Sequence, residues 1–143
     1  MAATKRFEEL DYQQTELGEL ILRRRVMPEL DSREVYEIIL GEAFLMSSLF
    51  TVVEEALGER GVAATAKTFP ATPLDVVVGG LGLGHTADAA LKSPYVGSLV
   101  VIDYLQPVID WHQGGLVPLG ASLSADPRCR MVHGDFFRMA AEP

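Results

Sequence analysis

The sequence predicts an α/β protein in which a small N-terminal antiparallel β unit precedes the first half of a doubly wound parallel sheet. Residues 7–47 contain four strand-like stretches joined by short turns. Residues 74–133 contain three short apolar runs separated by helical patterns. The length of 143 residues and a hydrophobic fraction of 48% fit one globular domain with at most a small appendage.

The β unit is predicted from two hairpins. Residues 7–15 and 19–26 flank a short turn that contains Gly18. Residues 34–40 and 43–47 flank a Gly-Glu turn and are rich in β-branched and aromatic side chains.

A helix is predicted after the second hairpin, because apolar residues then recur at helical spacing. Ser47 or Ser48 is a plausible N-cap, and Gly58 or Gly61 is expected to end the helix. Residues 62–73 contain two prolines and are interpreted as a linker.

The second unit alternates strands and helices. In order, we expect a strand at 74–78, a glycine-rich loop at 79–84, a helix at 85–92, a strand at 98–102, a helix at 106–113 and a strand at 130–133. This order predicts right-handed crossovers and a parallel sheet with helices on both faces. The expected domain ranges are the β unit at 1–47, the helix and linker at 48–73, and a partial nucleoside-binding domain at 74–143. Because three strands make half of a doubly wound sheet, we expect the native polypeptide to continue or the rest to come from elsewhere.

Groups suited to a nucleoside follow all three predicted parallel strands. Gly80, Gly82 and Gly84 lack Cβ atoms, so a ligand can approach the backbone after the first strand. Asp103 follows the second strand and can accept hydrogen bonds from two ribose hydroxyls. Asp135 follows the third and can accept one from an adenine amino group. Since ligands of open α/β sheets bind at the carboxyl ends of the strands, the three together predict a nucleoside site.

The glycine spacing fits two kinds of nucleoside ligand. Gly80-x-Gly82-x-Gly84 is usual for S-adenosylmethionine-type sites, whereas Gly82-x-Gly84-x-x-Ala87 with Asp103 about 20 residues later fits a dinucleotide fingerprint. A dinucleotide domain is expected to begin near its glycine-rich strand. The preceding β unit therefore favours the S-adenosylmethionine type.

Five segments in the same order carry a family resemblance: 10–20, 35–57, 79–84, 100–108 and 126–135. Together they resemble the spermidine synthase (polyamine aminopropyltransferase) family over nearly the whole chain. The most specific segment is 126–135, from Asp-Pro-Arg to Gly-Asp. The glycine-rich loop alone is shared with every class I methyltransferase.

The resemblance implies a methyltransferase-like Rossmann sheet and aminopropyl transfer to a polyamine. The donor would be decarboxylated S-adenosylmethionine or S-adenosylmethionine, with no metal. Gly80, Gly82 and Gly84 would line the methionine side of this donor. Asp103, where the family usually has Glu, would hold the ribose, and Asp135 would face the adenine.

Two departures keep other functions open. Residues 52–54 read Val-Val-Glu where the family has Tyr-His-Glu at the amine site, and a family Gln is replaced by Leu45 or Met46. The catalytic Asp implied by the family would lie beyond Pro143, so no catalytic residue is named. The alternatives are a methyltransferase with the same donor site, or a non-catalytic nucleoside-binding or assembly protein.

Composition limits the partners. A net charge of −8 argues against nucleic acid and tolerates a cationic acceptor such as a polyamine. Neither a signal peptide nor an apolar run long enough for a membrane span is recognised, so a cytoplasmic protein is expected. The single Cys129 and three scattered histidines predict no metal site. Apolar strands of a half-sheet need cover, which predicts a homo-oligomer.

Overall fold

The computed structural model describes residues 6–142, which divide into two compact units with a boundary between Phe50 and Thr51. The first unit is an antiparallel sheet, and the second is a parallel sheet with helices. This confirms the predicted α/β class. The ranges 1–47, 48–73 and 74–143 stay a prediction. Within residues 6–142, no helix is both long enough and apolar enough to cross a membrane.

The N-terminal unit is a four-stranded sheet in the order β1-β2-β3-β4. Its strands are β1 (Phe7–Thr15), β2 (Gly18–Met27), β3 (Arg33–Leu40) and β4 (Ala43–Ser47), with a 3-10 turn at Pro28–Leu30. All neighbouring pairs are antiparallel, which confirms both predicted hairpins. Gly18 has φ +123°, a conformation that L side chains rarely adopt, so glycine suits the first hairpin turn.

A buried ion pair lies within this sheet. Glu37 of β3 is almost fully buried and lies 3.3 Å from Arg23 and 2.6 Å from Arg25, both on β2. Two guanidinium groups compensate for removing the carboxylate from water. At the alternate positions, on the other face of the sheet, lie three large buried apolar side chains: Leu20, Leu22 and Ile38.

Helix α1 (Val52–Thr68) is longer than the sequence predicted. The expected end at Gly58 or Gly61 is wrong, and residues 62–68 of the expected linker are helical. A Cβ on Gly58 would lie 2.5 Å from the carbonyl oxygen of Thr86, in the next helix. Glycine is used here for close packing of two helices and not as a helix end.

The expected N-cap of α1 is also wrong. Thr51 occupies the cap position, and its Oγ1 lies 3.1 Å from Glu55 Oε1. Ser47 is the last residue of β4, and the Ser48 hydroxyl accepts a hydrogen bond from the Tyr36 amide at 2.9 Å. The serines therefore belong to the β unit, because their hydroxyls satisfy backbone groups there.

The C-terminal unit contains a three-stranded parallel sheet in the order β5-β6-β7. Its strands are β5 (Leu74–Gly79), β6 (Val96–Asp103) and β7 (Cys129–His133). Its other helices are α2 (His85–Leu91), α3 (Gln106–Gln113), α4 (Gly120–Ala125) and α5 (Phe136–Ala141). The predicted strands and helices α2 and α3 are confirmed. Two short helices, α4 and α5, were not predicted.

Candidate functional site

The carboxyl ends of the three parallel strands meet at one end of the sheet. Gly79 pairs with Ile102, and Asp103 pairs with His133. The Gly80 amide donates to the Ile102 carbonyl at 2.8 Å, and the Gly134 amide donates to the Asp103 carbonyl at 3.0 Å. The glycine-rich loop and the two candidate aspartates therefore follow three adjacent strand ends.

Asp103 is fixed by two backbone amides. Its Oδ2 accepts from the Leu81 N–H and its Oδ1 accepts from the Leu105 N–H, both at 2.8 Å. A carboxylate offers about four lone-pair positions, so each oxygen keeps a further position as acceptor. The carboxylate is partly exposed and can take two more hydrogen bonds at the end of the sheet.

The three glycines of the loop have different surroundings. Gly80, Gly82 and Gly84 all have positive φ, at +94°, +51° and +90°. A Cβ on Gly80 would meet nothing within 4 Å, so Gly80 leaves open space for a ligand. A Cβ on Gly84 would lie 2.6 Å from Leu123 Cδ1 and 3.0 Å from His112 Cε1. Gly84 is therefore needed for packing inside the protein.

Asp135 is the N-cap of α5. Its Oδ1 accepts a hydrogen bond from the Arg138 amide at 3.2 Å, and its side chain is exposed. The next residue, Phe136, covers the end of β5: a Cβ on Gly79 would lie 2.8 Å from the Phe136 ring. The sequence analysis did not single out Phe136, because its contact with Gly79 is long-range. It adds an aromatic surface to the three strand ends.

His112 is a second residue that the sequence analysis missed. It is fully buried on α3, and its Nε2 lies 2.8 Å from the carbonyl oxygen of Gly82. Burial lowers the pKa of His112, while the bond to Gly82 and the charge of Asp103 act in the opposite direction. One signal was available: His112 follows Val108 by four residues on the apolar face of α3.

The Asp-Pro-Arg part of the most specific segment lies at the other end of the sheet. Arg128 Nη2 donates to the Leu91 carbonyl at 2.8 Å and to Asp126 Oδ2 at 2.9 Å. Its Nη1 lies 3.5 Å from the carbonyls of Ser93 and Val96. Arg128 thus ties the end of α2 and the start of β6 to the start of β7. These hydrogen bonds give Arg128 a structural role.

The residues expected on the acceptor side belong to α1 and β4. Val52 and Val53 begin α1 and are 77% and 79% exposed. Leu45 and Met46 belong to β4. A catalytic base beyond Pro143 falls outside the described residues. Within residues 6–142, no group of three or more His, Cys, Asp or Glu side chains could hold a metal ion.

The chain was compared with known proteins at three levels. No protein-family model matches it. No curated protein matches it either. Among solved structures, a spermidine synthase from Thermotoga maritima matches with a TM-score of 0.65 at 17% identity, over 89% of this chain and 40% of that one. A spermidine synthase in complex with the transition state analogue AdoDATO matches with the same score and identity, over 88% and 39%.

The chain has the fold of these spermidine synthases. It spans about 40% of their length. The sequence resemblance is thereby confirmed at the level of the fold, since an identity of 17% carries no more than that.

A cavity of about 430 Å³ lies beside β5, at the edge of the parallel sheet. Its walls are α1, α2, the whole of β5 and the start of the glycine-rich loop: Leu57, Gly58, Gly61, Val62, Thr65, Leu74–Gly79, Gly80, Thr86 and Ala90. Asp103 and Asp135 do not line it. The cavity follows the edge of β5 that does not face β6 and reaches the candidate nucleoside site at Gly80, which belongs to both.

Proposed function

We propose that this chain is the nucleoside-binding part of a spermidine synthase-like transferase. Its donor would be decarboxylated S-adenosylmethionine or S-adenosylmethionine. The observation that carries the proposal is the Asp103 carboxylate, which two backbone amides hold in place while each oxygen keeps an acceptor position. Two vicinal ribose hydroxyls are the donors that such a carboxylate suits.

The surroundings of Asp103 support an adenosyl ligand. Gly80 leaves open space within 4 Å, so a ligand can lie against the loop backbone. Phe136 offers an aromatic edge or face to a base. Asp135 uses Oδ1 to cap α5, and its Oδ2 can accept from an exocyclic amine. One solved spermidine synthase with this fold binds a transition state analogue, AdoDATO.

The proposed reaction is aminopropyl transfer to a polyamine. When bound, such a donor supplies a carbon next to a sulfonium, where an amine nitrogen forms a bond while the C–S electron pair passes to sulfur. The amine must lose a proton, and no described residue among 6–142 is assigned as its base. The role of this chain is therefore to bind and orient, a contribution that can remove much of a transfer barrier.

A methyltransferase with the same donor site is the second candidate. Val52 and Val53 stand where the family resemblance expects a polar pair, so a cationic diamine would gain no polar partners from these two side chains. We expect putrescine to be a poor acceptor for that reason. The net charge of −8 still suits a longer polyamine.

We also propose a cytoplasmic setting, which the composition favours.

The test is calorimetry with methylthioadenosine, S-adenosylhomocysteine and NADH. We expect both adenosyl thioethers to bind and Asp103→Ala to weaken binding by about 1 to 3 kcal/mol, the range for an unmatched buried polar partner. Asp75→Ala is the control. The Asp75 carboxylate also accepts a hydrogen bond, from the Ser98 hydroxyl at 2.6 Å, but Asp75 lies near the start of β5 and not at the strand ends. Tight NADH binding without thioether binding would instead support a dinucleotide site.

A further inference from the structure

The glycine-rich loop is fixed at two consecutive residues. The Leu81 amide donates to Asp103, and the Gly82 carbonyl lies 2.8 Å from His112 Nε2. Because a carbonyl oxygen only accepts, Nε2 carries the hydrogen and donates it. One bond thus anchors the loop to the candidate ribose-binding carboxylate, and the other anchors it to α3.

His112 has little room to move independently of the loop. A Cβ on Gly84 would lie 3.0 Å from its Cε1, and a Cβ on Gly120 would lie 2.5 Å from its carbonyl oxygen. The Ser124 hydroxyl also donates to that carbonyl at 3.4 Å. The loop, α3 and α4 therefore meet at this one residue, and a displaced ring would displace the loop.

The second ring nitrogen makes protonation costly. His112 Nδ1 is buried and has no hydrogen-bond partner within residues 6–142. Protonation would create a buried N–H there with no acceptor. The titratable groups that face the ring are Asp103, which favours the charged form, and His85, which opposes it. The glycine-rich loop and α4 contribute no titratable side chain.

We propose that His112 is a positioning residue for adenosyl binding. The neutral ring holds the glycine-rich loop through Nε2, and protonation at Nδ1, which is buried with no acceptor among residues 6–142, displaces the ring and with it the loop. This inference rests on the proposed function for its ligand. His112 does not touch the ligand; it acts through the Gly82 carbonyl. Affinity for an adenosyl thioether should therefore fall as the pH is lowered.

The direction of the pH effect follows from burial. Burial lowers the pKa of His112 below its ordinary value of 6.5, so the folded protein keeps the ring neutral at pH 7. The unfolded chain takes up this proton first as the pH falls. The protonated ring keeps its Nε2–H donor, so the loop is released only when the buried charged ring leaves its place. The anchoring by the neutral ring is therefore fully available above pH 6.5 and is lost as the pH falls through the lowered pKa of the folded state.

The first experiment needs no ligand. Nuclear magnetic resonance follows the His112 ring and the amides of Gly80, Gly82 and Gly84 between about pH 4.5 and pH 8. We expect the loop amides to shift with the same midpoint as the ring, below 6.5. Loop amides that do not change while the ring titrates would overturn the proposal.

The second experiment measures affinity for methylthioadenosine by calorimetry at about pH 7.5 and at a pH below the His112 midpoint found in the first experiment. The wild type should lose about tenfold in affinity at the lower pH, the effect of one hydrogen bond. His112→Gln can donate to Gly82 without titrating, and it should bind within about threefold of the wild type at pH 7.5 and lose the pH dependence. His112→Phe has no donor and should be about tenfold weaker at both pH values.

His133→Gln is the matched control. His133 Nε2 also lies against a backbone carbonyl, that of Tyr104 at 2.9 Å, but its side chain is exposed. This variant should keep the pH dependence of the wild type. An unchanged pH dependence in His112→Gln would overturn the proposal whether or not His112→Phe folds. If the wild type binds no adenosyl thioether, the proposed function fails, and the ligand-free titration still decides the role of His112.

Discussion

The two ends of the parallel sheet differ in how their polar groups are used. At the amino ends of β6 and β7, the Arg128 guanidinium contacts Asp126 and the carbonyls of Leu91, Ser93 and Val96. At the carboxyl ends, Asp103 makes two backbone hydrogen bonds and keeps acceptor positions, beside a glycine with open space around it. The first arrangement stabilises the fold, and the second leaves groups for a ligand.

This difference divides the segment that resembles spermidine synthases most specifically. Its Asp-Pro-Arg part lies at the structural end, and its Gly-Asp part lies at the open end. A sequence motif can therefore be specific to a fold without marking a binding site. The two halves should respond differently to substitution, in stability for one and in affinity for the other.

The largest expected effect separates two glycines of one loop. Gly84→Ala combines a positive φ with close contacts to Leu123 and His112, and should lower the free energy of unfolding by about 2 to 4 kcal/mol. Gly80→Ala has backbone strain alone, of about 1 to 2 kcal/mol, but its methyl group enters the open space and should weaken thioether binding about tenfold. Chemical denaturation and calorimetry measure the two quantities. Equal stability of the two variants would show that Gly84 is not a packing position.

The Arg128 contacts give the next effect. Arg128→Ala removes the donors to three carbonyls and should lower Tm by about 5 °C, with affinity for methylthioadenosine unchanged within about twofold. Arg130→Ala on β7 is the control and should change Tm by no more than about 1 °C, as surface substitutions usually do. Thermal unfolding gives Tm. A variant that keeps its Tm but loses ligand binding would contradict the division between the two ends.

The smallest effect concerns the edge of the sheet. Among residues 6–142, β5 pairs with β6 alone, so its other edge is open beside the cavity, and Val77 is 57% exposed. We propose that this edge drives self-association, because open apolar strand edges pair readily. Sedimentation at high micromolar concentration should show a dimer for the wild type and a monomer for Val77→Lys. Val53→Lys is the control, since Val53 is 79% exposed on α1. A monomeric wild type would refute the proposal.

The sequence predicted the strands better than the helices, for a physical reason. Strands β5 and β6 are short runs of β-branched residues, and their order along the chain dictates a parallel sheet. Helix ends depended on long-range packing instead. Gly58 resembled a helix end, yet it is the place where α1 approaches Thr86. Helices α4 and α5 are too short, at six residues each, to show a period.

The candidate site was predicted in part. Residues that follow strand ends, such as Asp103, could be found because the sheet topology brings them together. Phe136 and His112 could not, because their roles depend on contacts with Gly79 and Gly82, which are distant in the sequence. Asp135 was predicted to face an adenine, and the structure shows that it also caps α5. That capping does not test the ligand role.

The central claim is that the carboxyl ends of the parallel strands bind the ligand and the amino ends do not. Its most direct test is a titration of the isotopically labelled protein with methylthioadenosine, followed by nuclear magnetic resonance. We expect the amides of Leu81, Gly82 and Leu105 to shift, because they belong to the loop and strand end around Asp103. The amide of Arg128, at the other end of the sheet, should not shift. Shifts confined to β5 and α1, or no saturable shifts at all, would contradict the assignment of the strand ends as the binding site.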